Sequence, residues 1–227
     1  MPVEMHFEEG WRRRLAEVGL DRFDSLMAFG DGQCVSWHTR GQTYRFAAAG
    51  ETLYLKRDCY TSAKDVLADL VARRRPQPPC IVELDALHRM RELNIPAPQP
   101  VAWGQRRRLA LPHQAVLVMR ELPGMPLNKW LREVDSTPRR RAVLTAVAQV
   151  IVRLYAAGLT WPDVAPKHFF LDGERIGVLD LARMRVARRP RVMYVPKQVH
   201  RFCARLRACG AAEEEVLAVL AAMSARR

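Results

Sequence analysis

The segment WPDVAPKHFFLDGERIGVLDLAR, residues 161–183, contains the pattern that decides the fold. Asp163 follows a Trp-Pro pair, and His168 lies five residues further along. Two short apolar runs, FFL and IGVL, flank the tripeptide Asp-Gly-Glu, which is typical of a β-hairpin with a tight turn. Because the second run ends at Asp180, we expect the hairpin to bring two carboxylates and an imidazole to one end.

Phosphoryl transfer requires this combination of side chains. One carboxylate, here Asp163, accepts the proton of the attacking hydroxyl. A second carboxylate, Asp180, holds Mg²⁺ against the nucleotide phosphates together with the neighbouring ligand His168. Aspartate in a hairpin turn is also common in proteins without this chemistry, so the other parts of a kinase must be present in the correct order.

The segment resembles the catalytic and metal-binding loops of protein-kinase-like folds, in which the pattern D-x-x-x-x-[N/H] precedes a hairpin and a strand that ends in Asp. His168 in the place of Asn, HFFL after it, and LDLAR in the place of D-F-G are similar to the lipopolysaccharide core kinases. These are the heptose and Kdo kinases of Gram-negative bacteria. The resemblance covers roughly residues 42–186.

This resemblance implies a two-lobed, protein-kinase-like α+β fold. A small, mostly antiparallel β lobe is expected at residues 1–122, with nucleotide-covering strands, a basic inserted helix and a helix that carries a glutamate. A short helical C-terminal lobe with the catalytic and metal loops is expected at residues 123–227. The chain has no A-P-E motif and few residues after the metal loop, which is typical of small-molecule and glycolipid kinases rather than protein kinases.

Two residues of the first lobe match the family's nucleotide-fixing pair. Lys56 alternates with apolar residues late in the predicted strand Thr52–Arg57, where the family has its phosphate-pairing lysine. Glu83 lies near the start of the predicted helix Ile81–Leu93, where the carboxylate that pairs with this lysine is found. The alternative is that Lys56 is an edge-strand lysine that faces solvent.

The connection ELNIPAPQPVAWG, residues 92–104, closely resembles the family's "ELGIPTP" link between helix and strand. The predicted strand Ala115–Glu121 fits the last strand of the small lobe. Glu121 and Leu122 then match the hinge whose backbone hydrogen-bonds adenine. No G-x-G-x-x-G is present, so the loop that covers the phosphates is not assigned.

Periodicity predicts the remaining helices. A short amphipathic helix is expected at Glu8–Val18, a basic helix at Thr61–Arg75 and a long helix at Pro138–Ala157. Two further helices are expected at about Pro196–Ala208 and Ala211–Ser224. The long helix is expected to bury a stripe of apolar side chains: Val143, Val147, Val150, Ile151 and Leu154.

The resemblance assigns a role to each remaining site residue. Asp163 orients and deprotonates the acceptor hydroxyl, Asp180 and His168 hold Mg²⁺, and Lys167 neutralises the transferring phosphoryl group. The implied cofactors are ATP and Mg²⁺, and the implied acceptor is a heptose, favoured over Kdo, of the lipopolysaccharide core. Five arginines after the metal strand are expected to grip acceptor phosphates: Arg183, Arg185, Arg188, Arg189 and Arg191.

One departure from the family pattern concerns the residues before Asp163. Protein kinases have His-Arg at this place, whereas this chain has Trp161 and Pro162, so the contacts of that His and Arg are expected to be absent. A degenerate kinase fold that binds an anionic ligand without catalysis is therefore an alternative function.

Charge is the most informative property of the whole chain. The 227 residues carry a net charge of +13, and 37 of them are basic. Such a surplus favours anionic partners: nucleic acid, anionic lipid head groups or a phosphorylated glycolipid. An acidic partner protein is compatible with the same charge, and the sequence does not identify it. A basic nucleic-acid-binding protein is the second alternative, but the sequence has no helix-turn-helix, zinc or RNA-recognition signature. Under the kinase interpretation no nucleic-acid partner is expected.

The sequence also bears on location. It has no run of about 18 apolar residues and no apolar signal core at its start, which predicts a cytoplasmic protein. The arginine clusters predict peripheral contact with the inner membrane. The five cysteines form no CxxC pair and are expected to be reduced thiols rather than a disulfide framework or a zinc site.

Overall fold

The structure is a computed structural model that describes residues 2–71, 73–108, 111–186 and 195–224. The chain divides into two compact units. The first unit consists of Met1–His88 and Pro98–Glu121, and the second of Arg89–Ala97 and Leu122–Arg227. The segment 89–97 thus groups with the second unit, whereas the sequence-based division at residue 122 assigned it to the first, and that division stays a prediction.

The first unit is built on an antiparallel sheet with helices beside it. Its elements in chain order are β1 (Val3–Phe7), α1 (Trp11–Ala16), α2 (Phe23–Ala28), β2 (Gln33–His38), β3 (Gly41–Ala48), β4 (Glu51–Asp58), α3 (Ala63–Val71), α4 (Pro79–Glu92), β5 (Pro100–Arg108) and β6 (Leu111–Arg120). The last residues of α4 belong to the second unit.

The six strands of this sheet pair in the order β1-β5-β6-β4-β3-β2. The first strand was not predicted, and the helix predicted at Glu8–Val18 is shorter because Gly10, with a φ of 75°, separates it from β1. Strand β4 lies between β3 and β6, where Lys56 pairs with Thr43 on one side and Leu117 on the other. Lys56 is therefore not on an edge strand.

Alternation along β4 separates the core from the candidate site. Leu53 and Leu55 are fully buried in the cluster that the sheet forms with α1 and α2, which includes Trp11 and Phe23. Because side chains alternate across a strand, Lys56 points to the opposite face. On that face it meets α4.

In its described residues the second unit is mainly helical, with three short strand pairings. Its elements are β7 (Met125–Pro126), α5 (Leu127–Glu133), α6 (Thr137–Ala156), β8 (Leu159–Thr160), one turn of 3₁₀ helix (Pro166–His168), β9 (Phe169–Asp172), β10 (Arg175–Val178), β11 (Arg185–Val186), α7 (Val195–Ala208) and α8 (Glu213–Ser224). Strands β9 and β10 form the predicted hairpin, β7 pairs with β9, and β8 pairs with β11.

Close packing in this unit requires glycine at residue 124. Gly124 has a φ of 110°, and a Cβ atom there would lie 2.5 Å from the Leu171 carbonyl oxygen of β9. Only glycine combines that backbone conformation with that approach. The long helix α6 buries most of its predicted stripe, but Leu144 is buried in its first turns and Val143 is only half-buried.

A buried ion pair joins α6 to α8. Arg140 Nε lies 2.8 Å from Glu215 Oε1, and the side chains are 14% and 2% exposed. The other Glu215 oxygen accepts the Ala212 N–H at 2.8 Å, which caps the start of α8. Among the described helices none is long and apolar enough to span a membrane.

We expect Glu215→Gln to lower the free energy of unfolding by about 3 kcal/mol, because Arg140 would remain charged and buried without its carboxylate. The measurement is urea unfolding followed by circular dichroism. Glu214→Gln is the matched control, since Glu214 forms a solvent-exposed pair with Arg141, and such pairs contribute little. Equal losses in the two variants would contradict the importance of the buried pair.

Candidate functional site

The Lys56–Glu83 pair is the candidate nucleotide-binding part of the first unit. Lys56 Nζ lies 2.7 Å from both carboxylate oxygens of Glu83. Glu83 is only 1% exposed, and the Lys56 side chain is 22% exposed. The ammonium group is therefore held by a buried carboxylate while part of its surface stays accessible to a ligand.

A second carboxylate lies close to this pair. Asp58, at the end of β4, is buried and accepts the backbone N–H of Cys80 at 2.7 Å. Burial raises the pKa of Asp58 and the charge of Glu83 raises it further, whereas the bond from Cys80 and the charge of Lys56 lower it. Asp58 thus anchors the start of α4, the helix that carries Glu83. Asp58 was not among the residues predicted from the sequence to have a role in the site.

The predicted hinge residues lie at the end of β6. The Glu121 backbone N–H donates to the Thr52 carbonyl oxygen at 3.0 Å, and its carboxylate accepts the Tyr54 hydroxyl at 2.9 Å. Any backbone contact of Glu121 with adenine would therefore use its carbonyl oxygen. Leu122 belongs to the second unit and packs directly on Gly177 of β10.

Two small antiparallel pairings frame the loop that carries Asp163 and the segment that carries Asp180. Strand β8 precedes the loop and pairs with β11, which follows that segment. The hairpin β9–β10 joins the two pieces from the other side. The pairing extends one step beyond the hairpin, because the Leu179 N–H donates to the His168 carbonyl oxygen at 2.8 Å. The three predicted residues Asp163, His168 and Asp180 thus lie in one local frame.

Asp180 has an unusual backbone conformation. Its φ is 63°, in the left-handed region that few residues other than glycine adopt. Its side chain is 54% exposed, and Oδ2 lies 3.5 Å from His168 Nε2. Backbone strain of this kind is frequent at functional sites, where the surroundings fix a side chain in a required direction.

Trp161 makes the contact that joins the loop to Asp180. Its indole Nε1 donates to the Asp180 carbonyl oxygen at 3.3 Å. Its buried ring stacks on the His168 ring with centroids 5.7 Å apart and packs against Phe169 at 5.5 Å. Trp161, which stands where protein kinases have His, therefore contacts both His168 and Asp180, and the expected absence of the His and Arg contacts stays a prediction.

Arginines hold Asp163 from two sides. Arg183 Nη1 lies 2.8 Å from Asp163 Oδ2, in an ion pair whose Arg183 side chain is 74% exposed. Arg205 of α7 donates to the Asp163 carbonyl oxygen at 3.0 Å and to that of Val164 at 2.6 Å. No sequence signal distinguishes Arg205 from the other arginines of α7.

Burial lowers the pKa of His168 below its ordinary value, and the positive charges of Lys167 and Arg205 lower it further, against an opposing effect of Asp180. The imidazole is buried, and neither ring nitrogen has a hydrogen-bond partner among the described residues. A neutral ring with free nitrogens beside an exposed carboxylate fits a metal ligand.

The rest of the predicted site is only partly described. Lys167 is exposed on the turn of 3₁₀ helix. Arg185 donates to the Ala182 and Met184 carbonyl oxygens, which stabilises the segment after Asp180. Arg188, Arg189 and Arg191 lie outside the described residues. Within the described ranges no three His, Cys, Asp or Glu side chains cluster as a metal site, so a metal here would need further ligands from phosphate and water.

The chain matches one family profile and two curated proteins over most of its length. The family profile described as "Lipopolysaccharide kinase (Kdo/WaaP) family" matches residues 34–213. The Escherichia coli protein "Lipopolysaccharide core heptose(I) kinase WaaP" is 26% identical over 161 residues, which cover 65% of this chain and 61% of that protein. The protein of the same name from strain K12 is 24% identical over 158 residues, covering 64% and 60%. The match thus spans about three fifths of the length of these curated relatives.

A solved structure supports the fold. The structure described as "WaaP in complex with acyl carrier protein" has a TM-score of 0.76 at 20% identity, and the match covers 99% of this chain and 90% of that one. The predicted α+β, two-lobed protein-kinase-like fold is therefore confirmed.

The lowered pKa of His168 predicts a pH dependence of stability. Between the lowered pKa of the folded state and the ordinary value of 6.5, the unfolded chain binds a proton at this residue while the folded chain does not. Stability is therefore lost as pH falls through 6.5 and is fully present above it, with a slope of at most about 1.4 kcal/mol per pH unit. Between pH of about 7.5 and about 5.5, the wild-type protein should lose more stability in urea unfolding than His168→Asn.

The matched control is His200→Asn, because His200 is exposed on α7. This variant should lose as much stability on acidification as the wild-type protein. A His168→Asn variant that behaves like His200→Asn would contradict the assignment of a neutral, buried imidazole.

Proposed function

The chain belongs to the lipopolysaccharide kinase (Kdo/WaaP) family, and from this membership we propose that it transfers the γ-phosphoryl group of ATP to a sugar hydroxyl of the lipopolysaccharide inner core. Heptose is favoured over Kdo as the acceptor, since the curated relatives are named heptose(I) kinases. The observation that carries the proposal is the local frame in which the Leu179–His168 backbone bond and the Trp161–Asp180 bond hold Asp163 and Asp180.

Asp163 is proposed as the catalytic base. Its carbonyl is held by Arg205 and its carboxylate by Arg183. An ion pair with so exposed an arginine is weak in water, so an incoming acceptor can replace it at low cost. Asp163 would then accept the hydroxyl proton as the oxygen attacks phosphorus, and the exposed Lys167 would offset charge on the transferring group.

The nucleotide is proposed to contact Lys56 through its phosphates, with Glu83 fixing the ammonium position. Asp180 and His168 would hold Mg²⁺, because a carboxylate and a neutral imidazole with free nitrogens can each donate a lone pair. When bound, the ion neutralises charge on the phosphate oxygens. The backbone of Glu121 and Leu122 is proposed to contact adenine. Glu121 would use its carbonyl oxygen, because its N–H donates to Thr52.

An anionic acceptor fits the charge around Asp163. Arg183 pairs with Asp163 through an exposed guanidinium group, which can exchange that carboxylate for a phosphate or carboxylate on the acceptor. A cationic acceptor would instead be repelled by Arg183 and Lys167. This supports a phosphorylated or acidic glycolipid as the acceptor class.

An acidic partner protein is a second element of the proposal. One structural relative is described as a complex with acyl carrier protein, and the net charge of +13 favours acidic proteins in general. We propose that this chain, too, binds such a partner.

Asp163→Asn tests the proposed function. Loss of the proton acceptor should lower kcat about 10²–10⁴-fold, while the dissociation constant for ATP stays within a few-fold, since this group acts in the transition state. The measurement is transfer of radiolabelled phosphate from ATP to core lipopolysaccharide that lacks the phosphate. Asp172→Asn is the matched control, because Asp172 is exposed at the hairpin turn and should retain full activity.

Three results would count against this assignment. Comparable turnover in Asp163→Asn and the wild-type protein would remove Asp163 as the base. ATP binding without transfer to any core acceptor by the wild-type protein would favour the degenerate kinase fold. Stabilisation by DNA that falls steeply with salt, without stabilisation by Mg·ATP, would favour the nucleic-acid-binding alternative.

The Lys56–Glu83 pair predicts strong coupling between two substitutions. Lys56→Met and Glu83→Gln should each lower kcat/KM about 10²-fold, and the double variant should be only a few-fold worse than either. Residues that act as one unit are non-additive in this way, because loss of either partner already releases the phosphates. Steady-state kinetics on the four proteins gives the coupling directly.

The exposed Arg89–Glu92 pair on α4, the helix that also carries Glu83, provides a control double-mutant cycle. Its two single variants and the double variant should have nearly wild-type kcat/KM. Independent, multiplicative losses at Lys56 and Glu83 would show that the ion pair is a structural contact only.

A further inference from the structure

Three large apolar side chains of helix α3 face solvent, while an acidic side chain of the same helix is buried. Leu67, Leu70 and Val71 are 61%, 52% and 77% exposed, whereas Asp69 is only 9% exposed. Positions 67, 70 and 71 follow the i, i+3, i+4 spacing, so they form one stripe on the helix surface. Tyr60, just before the helix, is 41% exposed as well. These four residues are called the α3 face below.

Cationic residues lie at both ends of this stripe. Lys64 is exposed one helical turn before Leu67, and Arg73, Arg74 and Arg75 follow the helix directly. The inward-facing Asp69 is paired with Arg74 at 3.0 Å. The chain leaves the helix at Arg73, which has a φ of 52° and donates its N–H to the Leu70 carbonyl oxygen at 2.8 Å. The arginine run is thereby fixed next to the apolar stripe.

This arrangement matches a helix that lies in the interface of a membrane. Such helices place apolar side chains in the boundary between head groups and acyl chains, with lysine and arginine at the level of the head groups. Tyrosine is favoured at the same depth, because its ring is apolar and its hydroxyl is polar. Anionic lipids attract the neighbouring cations.

A protein partner fits the α3 face less well. The helix has nine residues, which corresponds to a length of about 13 Å. A stable protein interface buries about 800 Å² on each partner, far more than one stripe on so short a helix offers. Shallow insertion into a bilayer needs no matching surface and can use a small apolar area.

We propose that the α3 face binds the surface of an anionic lipid bilayer, with Leu67, Leu70 and Val71 among the upper acyl chains and Lys64 and Arg75 at the head groups. The α3 face combines apolar insertion with charge, whereas the membrane contact predicted from the sequence used the arginine clusters alone. The inference does not depend on phosphoryl transfer, and its test needs no nucleotide.

The test is co-sedimentation of the full chain with vesicles of phosphatidylglycerol and phosphatidylcholine in equal parts, compared with vesicles of phosphatidylcholine alone. The wild-type protein should bind the anionic vesicles. The triple variant Leu67→Ser, Leu70→Ser, Val71→Ser should bind them about tenfold less strongly, because it removes the inserted groups. Lys64→Gln with Arg75→Gln should also weaken binding, and this loss should be smaller at high salt.

A matched triple variant separates the α3 face from general surface hydrophobicity. Val18, Leu111 and Leu217 are exposed elsewhere on the chain to 46%, 47% and 56%, and changing all three to Ser should leave vesicle binding unaltered. Leu70→Trp should strengthen binding to anionic vesicles, because tryptophan is favoured at the depth of the head groups. Thermal unfolding of each variant confirms that it is folded.

Several results would overturn the proposal. These are failure of the wild-type protein to bind anionic vesicles, equal losses in the two triple variants, and an α3 triple variant that binds as the wild-type protein does. If the α3 triple variant loses binding to an acidic carrier protein while keeping full vesicle binding, the face is a protein-docking surface and the membrane assignment is wrong.

Discussion

A buried aromatic stack supports the loop that carries Asp163. Trp161 packs on His168 and Phe169, and Phe169 in turn contacts Phe202 of α7 with ring centroids 5.6 Å apart. Loops are usually mobile because they bury little surface. Here the stack anchors the loop in the core of the second unit, and the Trp161 indole adds a hydrogen bond to Asp180. The positions of both carboxylates depend on this single packed group.

In the first unit an ion pair positions the candidate site residue Lys56, whereas in the second unit aromatic packing positions the loop of Asp163. Taking two charges out of water costs free energy that their mutual attraction often does not recover. A buried ion pair is therefore poorly explained by stability alone. Glu83 is almost fully buried and holds Lys56 in a defined position, and Asp58 secures the start of the same helix. This arrangement is understandable if the ammonium position matters for a ligand, which is the role that the proposed function gives it.

The sequence predicted the main elements well where a strong period or a turn signal exists. The β9–β10 hairpin, the helix that carries Glu83 and the long helix α6 were found close to their observed bounds. Strand β1 was missed because residues 3–7 become a strand only through pairing with β5. The exposure of the α3 face was missed for a similar reason. Periodicity locates an apolar stripe on a helix but does not show whether the rest of the protein buries that stripe.

By itself, the sequence determined the order of the chemical groups: a lysine in a strand, a glutamate in a helix, and two aspartates around a hairpin. Such local patterns follow from side-chain alternation and turn chemistry, which act over a few residues. The family resemblance predicted that Lys56 pairs with Glu83, and the tertiary structure brings them together across 27 residues. Only the tertiary structure decided that Trp161 and Arg205 hold the loop of Asp163. These contacts join residues distant in the chain, so they arise from packing of whole elements and leave no local trace in the sequence.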